Sequence, residues 1–179
     1  MTVEFKAFPK ISRDNPFKAT ISEKIDGTNA CIIIQEGKII GVQSRKRLII
    51  PEDDNYGFAK WVSENTEDLL KLGNGYHYGE WAGPGIQKNP HRLEEKTLFL
   101  FNTFRRETIR DLDIPNVAVV PVLFNGILKE DTIESELLRL KNKYVGTDCK
   151  PEGIVVYYHI FRKYTKHTIV SPNGKWCKD

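Results

Sequence analysis

The chain has 179 residues, of which 40% are hydrophobic and 28% are charged, and its formal net charge is +3 at pH 7. These values are typical of one globular domain with a core, and no apolar run approaches the about 18 residues of a membrane span. The net charge by itself does not indicate a nucleic-acid-binding protein. The first residues lack the basic start and apolar stretch of a signal peptide, so we expect a cytoplasmic location.

The cysteines and histidines show no ligand pattern. The three cysteines are odd in number and far apart, without Cys-x-x-Cys pairing, and the four histidines have no metal-ligand spacing. We therefore expect neither disulfides nor a zinc site.

The first part of the chain predicts an extended lead-in followed by strands. Residues 1–18 are polar and contain prolines, with one edge strand at 3–5. A short strand over 19–23 follows. The isoleucine-rich and valine-rich runs 30–35 and 38–44 flank a Glu-Gly pair and predict a hairpin.

The middle of the chain mixes a helical pattern with apolar strands. Apolar residues recur near a spacing of 3.6 over 55–72, which predicts a helix that can divide at Thr66. Residues 76–81 predict a strand, followed by a Gly-Pro-Gly loop. Residues 97–104 predict a strand buried on both faces, and 117–124 predict another, with its proline at a bulge or edge.

The last third predicts a helix followed by two strands. Asp131 and Glu134 have the spacing of a capping box and begin a helix of about 14 residues. Strands are expected over 153–159 and 165–170, and 171–179 form a polar tail. Hairpins together with a few helices predict an α+β fold with antiparallel sheets.

The residues most suited to chemistry lie in the stretch Ser22-Glu23-Lys24-Ile25-Asp26-Gly27-Thr28-Asn29, just before an apolar strand. A lysine here suits a nucleophile, because the glycine permits a tight turn near a ligand and the aspartate can hold a cation or the lysine itself. Alone, the same pattern also occurs in ordinary surface turns, so its meaning depends on the rest of the chain.

Further blocks follow in a fixed order: Ser44-Arg45, Tyr78-Gly79-Glu80-Trp81-Ala82-Gly83-Pro84-Gly85-Ile86-Gln87, Leu98-Phe99-Leu100-Phe101-Asn102, Pro151-Glu152-Gly153-Ile154-Val155-Val156 and Tyr164-Thr165-Lys166. The series resembles the motifs of the covalent nucleotidyltransferases, which include ATP-dependent RNA and DNA ligases and mRNA capping enzymes. The lysine and Gly-Glu-Trp blocks are most similar to the RNA ligase 2 branch and the short RNA-ligase-like proteins of phages. The resemblance spans about residues 20 to 170.

This resemblance implies a single nucleotidyltransferase (adenylation) domain over residues 1–179. Its antiparallel sheets would flank a central nucleotide pocket, with helices packed outside. We expect no separate C-terminal domain of the kind that larger ligases use to engage their substrates.

The resemblance further implies that Lys24 is the catalytic residue and takes AMP from ATP as lysyl-AMP. Its amine must be uncharged to attack phosphorus, whereas a free lysine is protonated at neutral pH. The implied neighbouring cations are Lys166 and a divalent metal, which would favour the neutral amine and neutralise the triphosphate. The expected cofactors are ATP and Mg²⁺ or Mn²⁺.

Other positions match the residues that bind the nucleotide in this superfamily. Glu80 resembles the glutamate that accepts hydrogen bonds from the ribose hydroxyls. Phe101 resembles the aromatic residue that stacks on adenine, and Arg45 resembles the arginine that meets phosphate or a 5′-phosphate end. Lys166 resembles the lysine on the α-phosphate. Glu23, beside the nucleophile, completes this expected set.

The remaining matches concern the metal and the phosphates. Glu152 resembles the acidic residue that positions a metal or its waters, and Asp26 can share that duty. Longer ligases carry a second lysine two places after Lys166, where this chain has Thr168. Lys163 is the candidate that would complete the phosphate clamp.

The expected reaction joins RNA, or alternatively DNA, with 5′-phosphate and 3′-hydroxyl ends, and no membrane or protein partner is expected. Three basic clusters would form a phosphate-binding face if the fold gathers them: Arg45-Lys46-Arg47, Arg105-Arg106 with Arg110, and Arg162-Lys163 with Lys166-His167. Two other hypotheses stay open. One is a DNA ligase or capping-type guanylyltransferase using the same lysine, and the other is a non-catalytic nucleic-acid-binding or nucleotide-binding module.

Overall fold

The computed structural model describes residues 17–171 and 174–175 of the chain. The strands are β1 Lys18–Lys24, β2 Thr28–Gln35, β3 Lys38–Ser44, β4 Gly75–Ala82, β5 Thr97–Leu100, β6 Val117–Val119, β7 Val122–Ile127, β8 Gly153–Tyr158, β9 Lys163–Thr168, β10 Val170–Ser171 and β11 Gly174–Lys175. The helices are α1 Phe58–Glu64, α2 Thr66–Leu70, α3 Arg106–Asp111 and α4 Thr132–Lys143. The edge strand predicted at 3–5 and most of the predicted tail lie outside the described residues.

One sheet has four strands in the order β7-β1-β8-β9, with every neighbouring pair antiparallel. Successive side chains of a strand point to opposite faces, so each strand divides its residues between two environments. Ile21, Ile154 and Val156 form a buried cluster with Leu140 of α4. This helix therefore covers one face of the sheet, and the other face is left for Lys24 and its neighbours.

The second sheet has five strands in the order β3-β2-β4-β5-β6, in which β5 and β6 are parallel and the other pairs are antiparallel. The predicted hairpin between β2 and β3 is confirmed, and Glu36 and Gly37 turn it with positive φ angles of 49° and 69°. Such left-handed pairs match the twist of the flanking strands. Ile32 and Trp81 pack against Phe58 of α1, so the helices cover one face of this sheet as well.

Between residues 17 and 171 the chain changes from one sheet to the other at two places. Ile25-Asp26-Gly27 leads from β1 to β2, and Val120-Pro121 leads from β6 to β7. The backbone N–H of Glu23 donates to the carbonyl oxygen of Pro121 at 2.8 Å, so the two crossings are adjacent. Lys24 therefore lies at the junction of the sheets.

Two strand predictions are wrong in their extent. Residues 117–124 form two strands in different sheets, because Pro121 has no N–H for either ladder and the chain leaves one sheet there. The strand predicted over 97–104 ends at Leu100 and is followed by a short 3₁₀ helix, Thr103–Arg105. Phe99 is half-buried, so β5 is not enclosed on both faces.

The helix predictions hold in position and differ in detail. The pattern over 55–72 forms α1 and α2, which meet at Asn65. α4 is confirmed, but the side chain of Asp131 makes no capping hydrogen bond within the described chain. The last predicted strand lies at 163–168 rather than 165–170. α3 was not predicted. The fold is α+β, as expected.

Candidate active site

A cavity of about 1170 Å³ lies between the two sheets, and the faces that the helices leave uncovered form its walls. The alternation along each strand selects the side chains that face it. Seven of the residues implied by the motif resemblance border this cavity: Glu23, Lys24, Asp26, Arg45, Glu80, Phe101 and Glu152. The sheets thus bring together residues up to 128 positions apart.

The Nζ atom of Lys24 forms an ion pair and hydrogen bond with Oε2 of Glu152. The register causes this contact, because Lys24 pairs with Gly153 between β1 and β8, and Glu152 directly precedes that glycine. The side chain of Lys24 is 23% exposed and that of Glu152 is 6% exposed. The amine is therefore reachable from the cavity and is held by a buried carboxylate.

The carboxylate of Glu80 lies on the opposite wall. Its Oε1 accepts a hydrogen bond from the backbone N–H of Gly27 at 3.2 Å, and its Oε2 accepts one from the side chain of Asn29 at 3.4 Å. Burial raises the pKa of Glu80 to about 7, although the nearby Lys24 lowers it, and the carboxylates of Asp26 and Glu152 add to the rise. Glu80 thus fastens the turn that follows the lysine.

The cavity contains more acidic than basic groups near the lysine, since Asp26, Glu80 and Glu152 surround one ammonium group. Such an excess of negative charge favours a bound cation. Within the described residues, no group of three or more histidine, cysteine, aspartate or glutamate side chains is arranged to hold a metal ion by itself. The arrangement suits Mg²⁺, which is usually held by one or two carboxylates together with substrate phosphates.

Arg45 and Phe101 border the cavity at the ends of their strands. Arg45 follows β3 and is exposed. Phe101 follows β5 and is 38% exposed, and its backbone N–H donates to the carbonyl oxygen of Tyr78 at 2.9 Å. The early end of β5 therefore leaves the Phe101 ring open to the cavity, where a flat ligand can contact it.

The two lysines of β9 lie on opposite faces of their strand. Lys166 pairs with Val155, which lines the cavity, so Lys166 shares the cavity face, although it is exposed and stands outside the lining residues. Lys163 pairs with Tyr158 on the other face, so the register does not favour Lys163 as a phosphate clamp. Thr168 pairs with Gly153, on the same row as Lys24.

A family model described as RNA ligase matches residues 18–168, from the first residue of β1 to the last residue of β9. This chain belongs to the RNA ligase family. The resemblance in the motif blocks is thereby confirmed. No curated protein sequence matches the chain.

Solved structures of an RNA ligase from Naegleria gruberi share the fold of this RNA ligase family member. The structure with PPi is 22% identical, has a TM-score of 0.62, and is matched over 86% of this chain and 50% of that chain. A variant with ATP and Mn is 21% identical with a TM-score of 0.62, over 86% and 49% of the two chains. This chain spans about half the length of the structures it matches. None of the helices in the described part of the chain has the length and hydrophobicity of a membrane span.

The side chain of Glu23 is not directed to the cavity of this RNA ligase family member, although the residue borders it. Glu23 is next to Lys24 in β1, so the two side chains point to opposite faces. Glu23 is 1% exposed, and its carboxylate accepts hydrogen bonds from the hydroxyl of Tyr144 at 3.1 and 3.4 Å. Burial raises the pKa of Glu23, while Lys143 and Tyr144 lower it. Its role as a nucleotide ligand is thus not favoured by the geometry.

His91 joins this buried group and was missed in the sequence. Its Nε2 accepts a hydrogen bond from the backbone N–H of Asp26 at 3.4 Å, and its Nδ1 lies 3.5 Å from Oε1 of Glu23. Burial lowers the pKa of His91 to about 4, so the ring is neutral with its proton on Nδ1. The ring supports the turn after Lys24 from behind. Its loop has no periodic pattern that could have revealed this contact.

The basic clusters are only partly gathered at the cavity. Arg45 and Arg105 line it. Arg47 is paired with Asp53 at 2.6 Å, and Arg110 with Glu107 at 2.6 Å. The first two clusters therefore contribute one arginine each to the cavity lining, and the third contributes Lys166 on the cavity face of β9.

Proposed function

We propose that this domain performs ATP-dependent ligation of RNA, beginning with the transfer of AMP to Lys24. The observation that carries the proposal is the placement of the Lys24 amine against Glu152 in a cavity whose other wall presents Glu80 and Phe101. Membership of the RNA ligase family supports RNA as the substrate. The related Naegleria gruberi structures, solved with ATP and Mn, AMP and Mn, or PPi, support the nucleotide chemistry.

In the first step, the uncharged amine of Lys24 attacks the α-phosphorus of ATP. A nitrogen–phosphorus bond forms, the bond from the α-phosphorus to the bridging oxygen breaks, and pyrophosphate leaves with the electron pair. The Lys24 ammonium, which Glu152 holds in place, first gives one proton to water, and the second proton that Nζ loses as the nitrogen–phosphorus bond forms leaves with pyrophosphate. Phe101 stacks on the adenine, Glu80 accepts hydrogen bonds from the ribose hydroxyls, and Arg45 contacts phosphate.

A divalent cation, Mg²⁺ or Mn²⁺, fits the acidic cavity. Asp26 and Glu152 are the residues that would hold it, since both border the cavity beside the lysine. When bound, the cation would neutralise phosphate charge as the amine approaches. Lys166, on the cavity face of β9, is the protein's own cation for the same purpose.

In the later steps, a 5′-phosphate of the RNA attacks the adenylate, which frees Lys24 and leaves AMP on the RNA end. A 3′-hydroxyl then attacks that activated phosphate, and AMP leaves as the strand is sealed. Both steps reuse the cavity, because the phosphate that was the α-phosphate of ATP is the group attacked in the first of them and leaves within AMP in the second.

The first test is self-adenylylation. The protein is incubated with ATP labelled at the α-phosphate and Mg²⁺, and covalent label is followed on a denaturing gel. We expect label on the natural chain and on Lys38→Ala, a control on the hairpin, and a loss of at least about 1,000-fold in Lys24→Ala, because the nucleophile is gone. Label that survives Lys24→Ala would discard the proposal.

Two further measurements distinguish RNA ligation from the other hypotheses: the choice of nucleotide in labelling and the choice of strand in sealing. Labelling by GTP in preference to ATP would indicate a guanylyltransferase, and ATP binding without covalent label would indicate a binding module. A 5′-phosphorylated strand is then offered as RNA, DNA and mixed nicks and sealing is followed on a gel. Sealing of DNA in preference to RNA would overturn the RNA assignment.

A further inference from the structure

The outer part of the cavity carries aromatic rings on both walls, and the adenylylation chemistry uses none of them. On β4, Tyr76 and Tyr78 stack with ring centroids 5.9 Å apart and planes inclined by 16°. On β8 and β9, the rings of Tyr157 and Tyr164 lie 4.7 Å apart. Phe104 meets the edge of Tyr157 at 6.3 Å. These residues line the cavity, and we name them the aromatic rim.

The rim is unusually exposed for rings of this size. Phe104 is 69% exposed, Tyr164 is 65%, Tyr76 is 60% and Tyr78 is 51%. Large apolar side chains are usually buried, and a contiguous exposed group of them marks an interaction site. Tyr76 and Tyr78 form a stack on one wall. Tyr157 and Tyr164 lie against each other at 36° on the other, so both walls offer ring faces to a flat ligand.

Register fixes the position of the rim relative to the reaction. Tyr78 and Tyr76 lie two and four residues before Glu80, on the same face of β4. Tyr157 lies four residues beyond Gly153, the partner of Lys24, on the same face of β8. Four residues of strand span about 13 Å, so the rim lies a few stacked nucleotides from the amine.

Cations flank the same path. Lys166 lies on the same face of β9 as Tyr164, two residues away, and is exposed. Arg45 is exposed where the cavity opens beyond β3. Aromatic rings with neighbouring cations are the combination that binds single strands, the rings stacking on bases and the cations meeting phosphates.

We propose that the aromatic rim binds unpaired nucleotides next to the RNA end that is joined, by stacking their bases on its rings. This inference rests on the proposed ligation of RNA and names the substrate class as single-stranded. In a duplex each base is already stacked between its neighbours, so its faces are closed to the rim. Stacking carries little sequence preference, so the rim accepts any base.

The test is binding of a fluorescent 5′-phosphorylated 12-nucleotide RNA, single-stranded or duplex, followed by anisotropy. Tyr164→Leu and Tyr76→Leu keep an apolar side chain but lose the flat ring, whereas Tyr164→Phe keeps the ring. We expect each leucine variant to weaken single-strand binding about five- to tenfold and Tyr164→Phe to stay within about twofold. Tyr56→Leu is the matched control, since Tyr56 is 50% exposed and lies outside the cavity lining.

The inference is overturned if the leucine variants bind the single strand as tightly as Tyr56→Leu does, or if duplex RNA binds the natural chain as tightly as the single strand. Tighter binding of single-stranded DNA than of RNA overturns the choice of RNA. Self-adenylylation is measured on every variant. Its absence in the natural chain would refute the proposed function, while the binding data would still decide whether the rim holds unpaired nucleotides.

Discussion

The carboxylate of Glu80 in β4 holds the segment that follows Lys24, through hydrogen bonds from the backbone of Gly27 and the side chain of Asn29. Burial raises its pKa to about 7 from the ordinary 4.5. A raised pKa means that the folded state holds the proton more tightly than the unfolded chain. The contribution of Glu80 to stability is therefore complete below pH 4.5 and is lost as the pH rises through 7.

The side chain in Glu80→Gln does not titrate, so the variant should not lose this contribution to stability as the pH rises. Between pH 4.5 and 7.5 we expect the free energy of unfolding of the variant, minus that of the natural chain, to rise by up to about 3 kcal/mol. Urea unfolding of both proteins without divalent cations measures it. Other titrating groups are common to both proteins and cancel. A difference that stays constant with pH would contradict the expectation.

His91 gives a second prediction with the opposite sign. Burial lowers its pKa to about 4, so its contribution to stability is complete above the ordinary value of 6.5 and is lost as the pH falls through 4. We expect the NMR signals of the His91 ring, assigned by comparison with His91→Gln, to report a neutral ring protonated at Nδ1 at pH 5.5. A ring that titrates near pH 6.5 would show that it is not enclosed between Asp26 and Glu23.

At the scale of residues, the sequence predicted the side chains that border the cavity better than the buried side chains that hold them in place. Lys24, Glu80 and Glu152 were found because each lies in a recognisable block beside a strand end. Glu23 points away from the cavity because it is adjacent to Lys24 in the strand and alternate side chains lie on opposite faces. The motif resemblance by itself did not take this alternation into account. His91 lies in a loop 65 residues after Asp26 and contacts the turn after Lys24, so only the tertiary structure determines this contact.

At the scale of elements, the start of β8 positions Glu152. Gly153 has a φ of +150°, and a Cβ there would overlap the backbone carbonyl of His167 in β9. We expect Gly153→Ala to lower the free energy of unfolding by roughly 3 kcal/mol or more, and to reduce self-adenylylation at least tenfold because Glu152 must shift.

Gly146 is the matched control, since its φ is +78° and nothing lies within 4 Å of its would-be Cβ. Gly146→Ala should cost only about 1 kcal/mol, from backbone strain alone, and leave labelling of Lys24 unchanged. Urea unfolding and the gel assay measure both variants. Equal losses in the two would show that the close approach of β8 and β9 is unimportant.

The existence of most strands and of α4 was predictable, because their apolar periodicity is strong. The division of 117–124 was not, since both halves are apolar and periodicity does not say which sheet a strand joins. Pro121 marked an irregularity, but its role as a crossing depends on β1, about 100 residues earlier, being available to pair with β7. α3 is only six residues long and buries one apolar side chain, Ile109, so it has no apolar periodicity from which it could be predicted.

For the whole molecule, a nucleotide between the sheets should stabilise both. An ATP analogue whose α–β bridge cannot be broken, at 100 times its Kd, should add about 2.7 kcal/mol to the free energy of unfolding. For a domain of this size the melting temperature would rise by about 5 to 10 °C. Hydrogen exchange should slow in β4 and in β8 together. Protection confined to one sheet would contradict binding between them.

The paired crossings of the chain have a mechanical consequence. Ile25-Asp26-Gly27 and Val120-Pro121 lie side by side and connect two sheets that have largely separate cores, so we expect them to form the axis of any opening movement between the sheets. Lys24 lies on that axis and Tyr76 and Tyr164 lie far from it. A small rotation about it would move the entrance much farther than the Lys24 nitrogen, so under the proposed mechanism long strands could enter and leave while the adenylylated atom keeps its place.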